Sequence, residues 1–164
     1  MRASQGFGLL ELMVTLVVVA ILSTIAVPSF VALIDRTRLN ATVNDFLAAA
    51  YTARSHSVRT GQITIVCPSA EGRQCDDTKD FAKGWLVTTD ANSPQAVVRR
   101  WSADKVRVSS NLQNDGFIRY QPDGLPIHDG GAFLAGTIEF CIDDNGQDVV
   151  LSRNGRLRTE DVQC

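Results

Sequence analysis

Between Leu12 and Ile34 the chain has no ionisable side chain, a run of 23 residues. As an α-helix such a run is about 34 Å long, enough to cross a hydrocarbon core of roughly 30 Å. A buried core helix is the rival reading. A chain of 164 residues has too little interior to hide 23 charge-free residues on every side, so the sequence predicts a membrane-inserted helix. Such a segment is either a removed signal peptide or a retained anchor. Three features favour retention. The stretch in front of it, Met1-Arg2-Ala3-Ser4-Gln5-Gly6, is very short, and Ile25-Ala26-Val27-Pro28 is a poor signal-peptidase site. Glu11 also sits at the edge of the apolar stretch, where an unpaired charge costs about 3 kcal/mol and marks a functional candidate.

Gly6-Phe7-Gly8-Leu9-Leu10-Glu11-Leu12 resembles the processing motif of type IV pilins and type II secretion pseudopilins. In that family a prepilin peptidase cuts after the glycine and methylates the new amino terminus. The resemblance implies cleavage between Gly6 and Phe7, an N-methylated Phe7, and Glu11 as the fifth mature residue, where the family has its glutamate. Pro28 falls where the family commonly kinks or melts this helix, and a local break is expected there. Gly8 departs from the Thr or Ser more usual in the family and should flex the first turn. Arg2 precedes the span while Arg36 and Arg38 follow it, so flanking charge does not orient the chain. The family topology implies a single pass of the bacterial inner membrane with the head in the periplasm, and later a place in a surface filament with other pilins.

Glu11 also has a reading from its chemistry. Cleavage at Gly6 leaves an amine at Phe7, four residues before the carboxylate. In a filament the Glu11 of one subunit can pair with the Phe7 amine of its neighbour, so that neither charge is stranded in lipid. The plainer alternative is a glutamate that snorkels to the headgroups. The peptidase motif favours assembly.

Beyond the span the apolar pattern becomes helical and one-sided. Leu39, Val43, Phe46, Ala50 and Ala53 recur at spacings of three and four, and Gly61 is a stop signal. After Gly61 the signals change to period two and turns. Candidate strands are 63–67, 84–89, 97–101, 106–108, 117–120, 137–142, 148–152 and 156–159. Asp115-Gly116, Asp123-Gly124, Asn145-Gly146 and Asn154-Gly155 are the turn pairs. No helix-length segment remains for parallel crossovers, so the sheet is expected to be antiparallel. Trp85 and Trp101 read as core aromatics. The fold class is α+β and type IV pilin-like: leader 1–6, transmembrane and assembly helix 7–34, amphipathic helix 35–60 and β head 61–164. Gly84-Trp85-Leu86-Val87 and the cysteine placement also resemble the FimT/GspH branch of the family.

Cys67, Cys75, Cys141 and Cys164 all follow the apolar span. An even count in a domain outside the cytoplasm reads as two disulfides. Of the three pairings, Cys67–Cys75 across a polar loop and Cys141–Cys164 at the carboxyl end are favoured. Zinc is the rival, but no Cys-x-x-Cys pair supports it, and no metal or cofactor is expected. His56 and His128 neighbour neither a metal-ligand spacing nor a nucleophile turn, and there is no P-loop. Asp76-Asp77 and Asp143-Asp144 read as solvated loop acids. Catalysis is not expected.

A net charge of −2 excludes a bulk polycation, yet 13 of the 16 basic residues are arginines. Anion recognition, if present, is local and made by guanidinium groups. The densest stretch is Ser152-Arg153-Asn154-Gly155-Arg156-Leu157-Arg158. A two-residue Asn-Gly hairpin has both turn residues at positive φ and makes Arg153 and Arg156 cross-strand partners. Arg158 and Leu151 then share their face, with Ser152 and Leu157 opposite. Five acids from Asp143 onward (Asp143, Asp144, Asp148, Glu160, Asp161) can instead neutralise the three arginines. On the residues alone the readings stand level. The FimT-type minor pilins that capture DNA for natural transformation carry Gly-Arg-x-Arg near the carboxyl end, which Gly155-Arg156-Leu157-Arg158 matches. This resemblance implies weak, sequence-independent DNA binding. The alternative is a GspH-like pseudopilin of type II secretion without DNA binding.

Overall fold

A computed structural model describes residues 8–103, 105–113 and 115–164. Gly6 and Phe7, the expected cleavage site, lie outside the described residues. Helix α1 is Leu9–Thr60. The Gly8 carbonyl accepts from the N–H groups of Glu11 and Leu12 at 3.1 and 3.2 Å, so Gly8 serves as the cap. Glu11 stands in the first turn, where a carboxylate meets the positive end of the helix dipole.

The break expected at Pro28 does not occur; the helix runs through it. Proline removes one N–H and hence one backbone bond, and the turns on either side keep theirs. Nearby, the Ser23 and Thr24 hydroxyls donate to the carbonyls of Val19 and Ile21, both at 2.7 Å.

The chain divides into two compact units, Met1–Asp35 and Arg36–Cys164. In the first, the apolar side chains described face outward; Leu16 is 61% and Phe30 67% exposed. This part of α1 is long and apolar enough to cross a membrane.

The second unit holds the core. The described residues form strands β1 Thr64–Pro68, β2 Trp85–Thr88, β3 Val97–Trp101, β4 Arg107–Ser110, β5 Ile118–Tyr120, β6 Pro126–Ile127, β7 Gly136–Ile142, β8 Asn145–Leu151 and β9 Leu157–Gln163. They make two sheets, ordered β3-β2-β1-β5-β6 and β4-β7-β8-β9, with every pairing antiparallel. Leu39, Val43, Phe46, Ala50 and Ala53, the apolar stripe of α1, are all buried in one cluster with side chains from both sheets. Phe46 is its hub, with ring centroids 5.3 to 5.6 Å from those of Phe140, Trp85 and Phe81. Trp85 is fully buried, whereas Trp101 is half-buried on β3 at the sheet edge.

The turn between β7 and β8 differs from the expectation. Asn145-Gly146 is not a turn: both residues are inside β8, paired with Ile142 and Cys141. The reversal is made two residues earlier by Asp143-Asp144, with Asp143 at φ 50°. Aspartate tolerates that conformation better than most residues, and Val149 and Leu151 of β8 lie in the core. Strand β6 has only two residues, too short for a period-two signal. The bonds Cys67–Cys75 and Cys141–Cys164 are both formed, with Cα separations of 5.6 and 6.1 Å.

Candidate functional site

The Asn154-Gly155 hairpin forms, but in a different register. Leu151 pairs with Leu157 and Val150 with Arg158. Ser152 and Arg156 then close the ladder, the Ser152 N–H donating to the Arg156 carbonyl at 2.9 Å. Arg153, Asn154 and Gly155 form a three-residue loop, and Gly155 donates back to the Ser152 carbonyl at 2.8 Å. Gly155 alone of the loop residues has positive φ, at 76°. This is a turn closed by a left-handed glycine, the usual three-residue solution. Arg153 is therefore not the cross-strand partner of Arg156. The physical reason lies in the two leucines: the expected register would put Leu151 and Leu157 on opposite faces, whereas this one buries both.

Arg153, Arg156 and Arg158 are exposed while Gly155 is buried. Arg156 and Arg158 are two apart across an inward Leu157, so they share the outer side of the sheet. Arg158 is ion-paired with Glu160 at 3.0 Å. Arg153 and Arg156 have no ion pair among the described residues.

The loop is held from the helix. The Arg54 guanidinium donates to the Gly155 carbonyl at 3.1 Å and reaches the Asn154 carbonyl at 3.5 Å. Its site lies between two glycine turns. A Cβ added at Gly124 would come 3.0 Å from Arg54 Nε, and one at Gly155 would come 3.0 Å from the Gly124 carbonyl and 3.4 Å from Arg54 Cζ. Only residues without a side chain let the two turns and the guanidinium stack this closely. Nearby Tyr120 is buried, and that burial raises its phenol above the ordinary value while Arg54 pulls the other way.

Beside the arginines runs an acidic row. Glu139 of β7 pairs with Asp148 of β8, which pairs with Glu160 of β9, so three carboxylates lie side by side. The Ser109 hydroxyl donates to Glu139 at 2.9 Å and Glu160 bonds Arg158. Burial, then Glu139 and Glu160, raise the Asp148 carboxyl above its ordinary value. The expected neutralisation of arginine by acid thus operates at Arg158. Glu139 also lies close to Cys141 and Cys164, but both sulfurs are in a disulfide and offer no thiolate to a metal.

The remaining candidates are scattered. Glu11 is exposed on the first unit. His56 Nδ1 lies 3.2 Å from the Thr64 hydroxyl, and His128 lies beside Asp129 in a surface turn. The Asp144 backbone carbonyl accepts the Cys164 N–H at 3.3 Å. Arg54 was the residue sequence reasoning missed. It reads as part of the polar face of a helix, and its partners lie about 100 positions away.

A long apolar amino-terminal helix, its second half buried against antiparallel sheet, defines a type IV pilin-like protein. Residues 42–155 match the family described as type II transport protein GspH, and residues 1–27 match the prokaryotic N-terminal methylation motif. The chain belongs to the GspH family and is a minor pilin or pseudopilin of the FimT/GspH kind. Among solved structures it is similar to the type IV minor pilin FimU of Pseudomonas aeruginosa in two crystal forms. The TM-scores are 0.57 and 0.58 at 18% identity, covering 74% and 77% of this chain and 92% and 90% of those. Membership implies assembly with other pilins in a filament. The family and fold are those of structural proteins.

Proposed function

We propose that this chain is a minor pilin that captures extracellular DNA for uptake in natural transformation through the arginine turn at its carboxyl end. The observation that carries the reading is the pair Arg153 and Arg156: exposed, without an ion pair among the described residues, and mounted on a loop bonded to the helix by Arg54. Arg156 and Arg158 grip phosphates, Arg153 assists, and Gly155 allows the turn. Phosphate contacts position a duplex without reading its sequence. Two or three of them give weak binding with a log–log salt slope of about −2 to −3.

The amino-terminal half serves assembly. A prepilin peptidase cleaves between Gly6 and Phe7 and methylates Phe7. Residues 7–34 hold the subunit in the inner membrane with the head, 35–164, in the periplasm. Glu11 then pairs with the Phe7 amine of a neighbouring subunit during polymerisation. The second reading, a type II secretion pseudopilin without DNA binding, is favoured by the family description and by the Arg158–Glu160 pair. The experiment is gel retardation of duplex DNA by the full chain in detergent micelles at low salt. Retardation that disappears with Arg156→Ala plus Arg158→Ala supports capture. No retardation by the wild-type chain favours the secretion reading. Amino-terminal sequencing tests processing, with methyl-Phe7 expected and a start near Val27 contradicting it.

A further inference from the structure

At the opposite edge of the five-stranded sheet the chain carries a second cationic surface. β3 is an edge strand, and its sequence Val97-Val98-Arg99-Arg100-Trp101 places two consecutive arginines there. Successive strand residues point to opposite faces, so the two guanidinium groups straddle the edge. The Arg99 Cζ lies 4.9 Å from the centroid of the Trp101 ring. Trp101 and Arg100 also line a cleft of about 320 Å³, together with Lys83 and the Ser69–Gly72 loop. The Arg100 stem lies over Gly72, where an added Cβ would come 3.0 Å from its Cδ. That loop is fixed by the Ser69 hydroxyl, which donates to the Gln74 carbonyl at 2.6 Å and accepts from the Gly72 N–H at 3.0 Å.

Lys83, Arg99 and Arg100 have no ion pair among the described residues. The nearby acids are mostly turned elsewhere: Asp76 accepts the Ala70 N–H at 2.7 Å and Asp80 the Ala82 N–H at 2.9 Å. Glu71 is the one carboxylate lining the cleft. Charge on an edge strand is commonly a guard against strand addition. A guard needs no cleft and no lysine arriving from another element, and here both are present.

We infer that this cleft and edge form a second phosphodiester-binding site for the DNA backbone, with Lys83 and Arg100 gripping a phosphate and Arg99, stacked on Trp101, a neighbouring one. The inference rests on the DNA-capture reading. Planar guanidinium groups match phosphate geometry, and stacking on an aromatic face pre-orders one of them. The arginine turn lies near the other edge of the same sheet, since a Cβ at Gly155 would come 3.3 Å from Pro126 Cδ in β6. Four strand spacings of about 4.8 Å separate the edges by about 19 Å. That is less than one turn of duplex, about 34 Å.

The test is fluorescence anisotropy of a labelled duplex with the full chain in detergent micelles, titrated with salt. Lys83→Gln plus Arg100→Gln keeps much of the stems' packing and removes two contacts. The salt slope should become shallower by about 1, the share of the one phosphate these two side chains hold, and binding at low salt should weaken about tenfold. Glu71→Gln should tighten binding about twofold. Unchanged affinity and slope in the double variant, with native circular dichroism, overturn the inference and leave edge protection as the role of these charges. Arg156→Ala plus Arg158→Ala separates the two sites. Binding lost in that variant but intact in the cleft variant sinks this site and keeps the turn. Binding kept there but lost in the cleft variant sinks the turn and keeps this site.

Discussion

Arg54, in the last third of helix α1, donates a hydrogen bond to the carbonyl of Gly155, 101 residues further along the chain, at 3.1 Å. The contact joins the helix that carries the head to the loop that displays Arg153 and Arg156. A guanidinium serves here because its fork reaches two adjacent carbonyls, Asn154 and Gly155.

Arg54→Ala should cost about 2 kcal/mol, the value of a hydrogen bond from a charged donor, and lower the melting temperature by about 4–8 °C. Amide exchange at Gly155 and Arg156 should accelerate more than exchange in β7. Arg54→Lys keeps the charge but loses the fork, and should recover only part of the protection.

Gly155→Ala strains the loop twice. Its φ of 76° costs a non-glycine residue about 1–2 kcal/mol, and the new methyl meets the Gly124 carbonyl. Thermal denaturation should show a loss of at least that size. The same substitution at Gly131, where a Cβ meets nothing within 4 Å, should show only the conformational cost.

These two sites mark where the sequence stopped being informative. The apolar stripe Leu39–Ala53 was legible because helical period and core burial are the same constraint. Most strands, and the Asn154-Gly155 reversal, were legible from alternation and turn chemistry. The register of that reversal was not. A two-residue and a three-residue loop both fit Asn-Gly, and the choice was made by burying Leu151 with Leu157. The role of Arg54 had no local signal, since a helix-face arginine looks the same whether it meets water or a distant turn. Pro28 misled for a related reason: its cost is one backbone bond, and local rules do not say how much helix stands on either side to absorb it.

Phe46→Ala should destabilise the head by about 3–5 kcal/mol, because three aromatic rings lose their shared partner. Denaturant unfolding followed by the fluorescence of Trp85 and Trp101 together measures this. Tyr51→Ala, on an exposed helix position, should change stability by less than about 0.5 kcal/mol.

Asp148 gives a pH dependence of definite sign. Burial, followed by repulsion from Glu139 and Glu160, holds its carboxyl above 3.8 in the folded protein. A raised folded-state value means that the stabilising contribution is full below the unfolded value and is lost as pH rises through the folded one. Asp148→Asn removes the loss, so at pH 7 the variant should be more stable by about 0.5 kcal/mol, melting about 1–2 °C higher. The advantage should shrink toward zero as the pH falls to 3. Melting curves across that range check the sign.

The arginine turn is tested most directly by the dissociation constant of the full chain in micelles for a labelled duplex at about 50 mM salt. Arg156→Ala plus Arg158→Ala should weaken binding about tenfold or more and make the salt slope shallower by about 2, with the circular dichroism unchanged. An affinity and slope equal to those of the wild-type chain would contradict DNA capture by this turn.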